Sequence, residues 1–290
     1  MRSNTIGNEQ PMIYGRKYNE DNAYNINKYF KENGYITGLT NGYCGKESSV
    51  IHWKKRKGKV LPRYGNDYDH EFFAFSCDPF HGIGWGAIRG PNSNYKRCLY
   101  GKMIIEHEIE YANQFFHKYK DNRKYFRIII QDSHDRGFNH LIAFDDNILY
   151  KFLINIYQNN LLNESAVIIA SDHGNPSAIM LHLFEDYIIE KSLPFLFIIL
   201  SDNVNKTYYN QYQNISQNQQ NFIHAYDIYN TLSNIIYGNE YFLIPNKNAS
   251  HDWPKTSRGK SLLEYIETKE RNCNISKEFR KSCQCENYSS

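Results

Sequence analysis

The run Ser165-Ala-Val-Ile-Ile-Ala170 passes directly into Ser171-Asp172-His173-Gly174, and no other stretch limits the possible folds as much. A run this short and apolar, bounded by Gly174 and Pro176, predicts a buried parallel strand rather than a helix. In open α/β sheets the ligand crevice lies beyond the carboxyl ends of the strands. Asp172 and His173 therefore leave the sheet there as adjacent oxygen and nitrogen donors, a pair suited to a divalent metal. Gly174 relieves crowding or permits positive φ. The same residues also suit a plain strand-to-loop turn in which Asp172 caps the next segment.

The rest of the chain alternates helical and strand patterns. Apolar positions recur at helical spacing from Glu20 to Gly34, with Gly34 as the stop, and Tyr35–Thr40 comes next as a short strand. Helix-then-strand order builds a parallel sheet. A second helix is predicted over Lys102–Lys120, with His107 on or near its packed stripe, and then a strand over Phe126–Gln131. That strand opens into Asp132-Ser133-His134-Asp135, a second cluster of potential ligands, which equally reads as an Asp/Ser turn. A helix over 144–162 returns the chain to the Ser165 strand by a right-handed crossover. A strand over Phe195–Leu200, a polar surface excursion over 202–220, a helix over Phe222–Tyr237 with a packing His224, and a helix over 261–268 complete the pattern. His251 is a further histidine for the crevice. Residues 41–100 are aromatic and irregular, and no strands are placed there.

A chain of 290 residues can bury one substantial core, which we expect over 1–268, with a cysteine-containing polar tail over 269–290. The net charge of +3 points to no nucleic-acid partner, and Lys54-Lys55-Arg56-Lys57-Gly58-Lys59 reads as a solvated, loop-like stretch. No apolar segment is long enough to span a bilayer. Asn-X-Ser/Thr sites begin at Asn163, Asn205, Asn214, Asn248, Asn274 and Asn287, and the six cysteines suit disulfides better than zinc. Together these predict a protein of the secretory pathway, extracellular or at the cell surface. Any membrane attachment would lie in a segment amino-terminal to Met1. No glycine-rich dinucleotide fingerprint is present.

Several pieces occur in an order that resembles a known family. They are Asn4-Thr5 through Gly15, Cys98-Leu-Tyr-Gly101, Ser133-His134-Asp135, Asp145-Asp146, Ser171-Asp172-His173-Gly174, Glu190-Lys-Ser-Leu-Pro-Phe195, His224-Ala-Tyr-Asp-Ile-Tyr-Asn-Thr231, and Arg271-Asn-Cys273 with Cys283 and Cys285. The chain resembles the domain of unknown function 229 family, within the alkaline-phosphatase-like, sulfatase-like superfamily. The resemblance implies an α/β fold with a mostly parallel sheet sandwiched between helices. It also implies cleavage or transfer of phosphate-type or sulfate esters with a bound divalent metal, zinc foremost, with manganese, magnesium or calcium as alternatives. Asp172 and His173 map onto the family's strand-end metal pair, with His134, Asp135 and His251 as further ligands. Thr5, ten residues before Gly15, matches the nucleophile at a helix start; on residues alone it is an ordinary N-cap. A threonine cannot become formylglycine, which disfavours a conventional sulfatase. The family's upstream strand ending in another metal-binding aspartate is not in this sequence, so the fold is expected to be amino-terminally truncated. The competing reading is a catalytically dead binding domain of the same fold.

Overall fold

The structure, a computed structural model, describes residues 5–15, 25–42, 52–56, 59–63, 68–72, 98–130, 145–163, 165–174, 191–237 and 258–271. Within these the chain is mixed α/β, with a small parallel sheet and seven α-helices among the described residues. It forms two compact units, Phe30–Leu162 in one, and Met1–Tyr29 with Asn163–Ser290 in the other.

Helix α1 covers Thr5–Tyr14 and α2 covers Ile26–Glu32. The second begins where Asn25 caps it, its Oδ1 accepting the Asn27 N–H at 3.0 Å. It ends at Gly34, whose φ of +80° favours a residue without Cβ.

In the unit spanning 30–162, β1 (Ile36–Asn41) is central, and β4 (His70–Phe72) and β7 (Lys124–Ile129) lie parallel to it on either side. Helix α3 (Ile104–Lys118) buries Ile104, Ile105, Ile109, Ala112 and Phe115. Its packing on β1 depends on Gly38. A Cβ there would come within 2.4 Å of the Phe126 ring and 3.1 Å of Phe115. Helix α4 (Tyr150–Gln158), preceded by a π turn at Asp145–Leu149, is joined to α3 by the Asn155 amide donating to Asn113 Oδ1 at 2.9 Å. Glu108 is buried along with the α3 stripe while His107 is only half-buried, so the expected packed core histidine is not found. At the amino end of the sheet, Asp69 accepts the Thr37 N–H and hydroxyl, each at 2.9 Å, and pairs with Lys31 at 3.0 Å.

Of the lysine-rich stretch, Lys54, Lys55, Arg56 and Lys59 lie in strands rather than in a loop. β2 (His52–Arg56) and β3 (Lys59–Arg63) pair antiparallel as a hairpin, with Arg56 opposite Lys59. Two-residue strands β5 (Cys98–Leu99) and β6 (Lys102–Met103) form a second small hairpin leading into α3. The other five cysteines lie outside the described residues.

In the unit containing 163–290, β8 (Ala166–Ala170) pairs with β9 (Leu196–Leu200) antiparallel, Ala166 opposite Leu200 and Ala170 opposite Leu196. This corrects the expected parallel, buried strand. Among the described residues β8 has no parallel neighbour, and no residue of β8 or β9 is fully buried. Most of the polar stretch after β9 lies at the surface as expected, though Asn218 is buried, and it is helical, forming α5 (Asp202–Thr207) and α6 (Tyr209–Gln217). Ser201 starts it by accepting the Val204 N–H at 3.2 Å.

Helix α7 (Ala225–Tyr237) is the most buried of the described elements of this unit and packs on α1. His224 sits just before it as a packed residue, 6 % exposed. The helix expected over 261–268 is absent, apart from a single 3-10 turn at Thr268–Glu270. Asparagine side chains replace its backbone bonds. Asn214 donates to the Leu263 carbonyl, Asn218 to those of Leu262 and Glu264, and Asn221 to that of Ile266. With these partners supplied from α6 and the turn after it, the segment has no need to hydrogen-bond to itself.

Candidate functional site

Helix α1 begins at Thr5 and is closed by Gly15, so the ten-residue spacing from Thr5 to Gly15 measures the helix. Gly15 has φ +61° and its N–H bonds the Pro11 carbonyl at 3.0 Å, an αL termination. A Cβ at Gly15 would lie 2.6 Å from the Tyr229 ring of α7, so close packing and backbone conformation both require glycine there. One turn after Thr5, Asn8 is 1 % exposed and its Nδ2 donates to the backbone carbonyl of Asp172 at 2.7 Å. Residues three apart on a helix share a face, so the backbone position of Thr5 belongs to the side of α1 that meets the end of β8.

The turn leaving β8 is held at several points. The Ser171 hydroxyl donates to the His173 carbonyl at 2.6 Å, the Ser171 N–H to Phe195 at 3.1 Å, and the Gly174 N–H to Lys191 at 2.8 Å. His173 is 9 % exposed and its Nδ1 lies 2.7 Å from the Gly174 carbonyl. A carbonyl only accepts, so Nδ1 carries the proton. In the neutral imidazole the lone pair is then on Nε2, which lies 3.4 Å from Asp172 Oδ2.

Nε2 and the Asp172 carboxylate oxygen are both donor types that a divalent ion takes. A tetrahedral divalent ion with donors at about 2.1 Å places them about 3.4 Å apart, the separation found here. Donation of Nδ1–H to a backbone carbonyl is also the usual outer arrangement of a metal-binding histidine. Asp172 and His173 thus fit two ligands of one cation.

His134, Asp135 and His251 lie outside the described residues, and the side chain of Thr5 is likewise not described. Among the described residues no group of three or more His, Cys, Asp or Glu side chains converges. Sequence reading missed Asn8, though its place one helical turn from Thr5 was a usable signal.

It also missed Asp227. This fully buried carboxylate accepts the His224 N–H at 2.7 Å, the Lys260 N–H at 2.7 Å, and Arg271 Nη1 and Nη2 at 3.2 and 2.8 Å. Burial pushes its carboxyl above the ordinary range, against the opposing pull of Arg271 and the two backbone donors. The cluster fixes α7 to the segment 258–271, and the ring of Tyr229 on α7 is what α1 ends against.

The arrangement defines a mixed α/β protein in which a helix near its start and the end of a strand meet at an Asp-His pair. No curated protein and no solved structure matches the chain. It belongs to the family described as Protein of unknown function (DUF229), whose sequence profile matches residues 5–290.

Proposed function

We propose that the chain is a divalent-metal-dependent hydrolase or transferase of phosphate-type esters with an alkaline-phosphatase-like fold. The observation that carries this reading is the Asn8–Asp172 hydrogen bond, which ties the first turns of α1 to the strand-end Asp-His pair. Asp172 and His173 would hold the cation, zinc in the first place. A bound divalent ion there would stabilise charge on the transferring group and favour the ionised form of a nearby hydroxyl.

Thr5 is the proposed nucleophile, its position at the helix start being one where the α1 dipole favours negative charge. Its oxygen would form a bond to phosphorus as the ester P–O bond breaks, and the departing alcohol would take up a proton. His134 and Asp135, with His251, are proposed to complete the site. Sulfate esters are the secondary substrate class, and a secretory-pathway location with no nucleic-acid partner is part of the same proposal. Among the described residues no helix is long and apolar enough to cross a membrane.

Metal analysis of the purified chain tests the reading. A stoichiometric divalent ion that is lost in Asp172→Ala, together with turnover of an aryl phosphate lost in Thr5→Ala, supports it. A well-folded chain that stays metal-free in zinc and manganese overturns it in favour of a binding domain.

A further inference from the structure

Three of the Asn-X-Ser/Thr sites have their asparagine among the described residues, and they differ in what a sugar on the amide nitrogen would disturb. Asn163 lies in the turn before β8, and its residue is exposed. Its backbone is fixed, because the Ser201 hydroxyl at the end of β9 donates to the Asn163 carbonyl at 2.7 Å. Its side chain has no hydrogen-bond partner among the described residues. A substituent on Nδ2 would break nothing there and would enter solvent from an anchored point.

Asn214 is the opposite case. It is half-buried in α6, and its Nδ2, the atom a glycan would take, donates to the Leu263 carbonyl at 2.8 Å. That bond is one rung of the asparagine ladder holding residues 262–266 in their non-helical course. A sugar on this nitrogen would collide with the segment the amide supports and would take the donor from the Leu263 carbonyl. Asn205 lies within α5, half-buried, with Oδ1 enclosed and making no hydrogen bond. A sugar there would have to be accommodated beside an amide whose oxygen is already enclosed.

We propose that Asn163 carries an N-linked oligosaccharide and that Asn205 and Asn214 are bare in the folded protein. Attachment forms a bond from the asparagine nitrogen to the anomeric carbon of the first sugar as that carbon's bond to the pyrophosphate of an activated lipid-linked oligosaccharide breaks; the lipid pyrophosphate leaves with the electron pair, and the amide proton passes to a base of the transferase. The transferase meets the chain before it folds, so acceptor sequence alone does not separate the sites. Folding separates them, because a chain modified at Asn214 loses that rung, sets a sugar against residues 262–266 and is retained, whereas one modified at Asn163 matures.

The test is to express the chain behind a cleavable secretory leader in a eukaryotic host and to map the secreted protein. Peptide mass spectrometry after enzymatic deglycosylation in heavy-oxygen water labels each formerly occupied asparagine. The expected result is a label at Asn163 and none at Asn205 or Asn214. Asn163→Gln should remove one glycan step on a gel, while Ser216→Ala, which destroys the acceptor sequence without touching the Asn214 amide, should leave the pattern and the secreted yield unchanged. An unmodified Asn163, or a labelled Asn205 or Asn214 in folded secreted material, overturns the proposal. These outcomes are independent of metal binding and catalysis.

Discussion

The amide nitrogen of Asn8 lies 2.7 Å from the carbonyl oxygen of Asp172, a bond between residues 164 apart in sequence. It joins the helix that starts at Thr5 to the turn that presents Asp172 and His173. Asn8 is buried, so the geometry of that turn depends on a side chain water cannot replace.

Substitution of Asn8 should therefore disturb both stability and cation affinity. Asn8→Ala removes the donor and leaves the Asp172 carbonyl under-satisfied, with an expected loss of about 1–3 kcal/mol in urea denaturation. Asn8→Asp should be worse, since it places a carboxylate oxygen against a carbonyl oxygen. If Asn8 positions the pair, calorimetric titration should also show zinc affinity about 10-fold or more weaker in Asn8→Ala at a temperature where the variant is fully folded. An affinity equal to that of the unaltered chain would reduce Asn8 to a purely structural residue.

The cation site makes a separate prediction. A ligand that binds only the folded state at 100 times its dissociation constant stabilises by about 2.7 kcal/mol. Zinc should accordingly raise the melting temperature of the unaltered chain, and the increment should vanish in Asp172→Ala and His173→Ala. His173→Gln keeps a polar side chain but not the imidazole lone pair, and should lose the increment as well. Retention of the full increment in all three variants would place the cation elsewhere.

Parts of the fold and site were legible in the sequence because they depend on periodicity. The helical spacing of Met103, Ile104, His107, Tyr111, Phe115 and Phe116 marked α3, although the face it buries runs through Ile105, Ile109, Ala112 and Phe115, and the helix-then-strand order pointed to a parallel sheet, as in the pairing of β1 with β7. The direction of β8 was not legible, because an apolar run such as Ala166–Ala170 looks the same beside a parallel or an antiparallel neighbour. Asn214 and Asn218 read as part of a polar excursion because composition cannot show that their amides face the backbone of residues 262–264. Asp172 and His173 stood out as adjacent ligand types, whereas Asn8 is meaningful only once Thr5 is known to begin a helix. Asp227 had a local signal, standing three residues after His224 in the spacing of a helix cap, but its pairing with Arg271 depends on tertiary structure.

That pairing predicts an asymmetric pair of variants. Arg271→Ala strips the guanidinium from a carboxylate that is fully buried, and losing one partner of such a pair costs about 3–5 kcal/mol. Replacing both charges, as in Asp227→Asn with Arg271→Met, should recover much of the loss because no uncompensated charge is left inside. Denaturant unfolding of the single and double variants measures the difference; a double variant less stable than Arg271→Ala would count against a buried-charge origin of the loss.

Asp69 has a pH dependence whose sign is set by its surroundings. Burial alone would raise its carboxyl, but the Thr37 N–H and hydroxyl and the Lys31 ammonium outweigh burial and hold it below its ordinary value of 3.8. A depressed folded-state pKa means the unfolded chain takes up the proton first as pH falls. The stabilisation is therefore complete above the ordinary carboxylate range and is lost as pH drops through the lower folded-state value. Asp69→Asn should be less stable than the unaltered chain at pH 6 and converge with it in strong acid. A stability gap that stays constant with pH would show that the carboxylate charge contributes nothing.

Gly15 and Gly34 separate backbone strain from steric overlap. Both have positive φ, +61° and +80°, but a Cβ at Gly34 meets nothing within 4 Å while one at Gly15 lies 2.6 Å from the Tyr229 ring. Gly34→Ala should cost only the left-handed strain, about 1–2 kcal/mol. Gly15→Ala should cost that and the displacement of a fully buried aromatic ring on α7. Because α1 carries both Thr5 and Asn8, moving its end should also weaken cation binding, which Gly34→Ala should leave intact. Adding Tyr229→Leu to Gly15→Ala makes room for the new methyl group and should restore part of the stability and part of the affinity. Equal losses at the two glycines, with no rescue by the smaller side chain, would mean that the α1–α7 contact does not set the position of the helix.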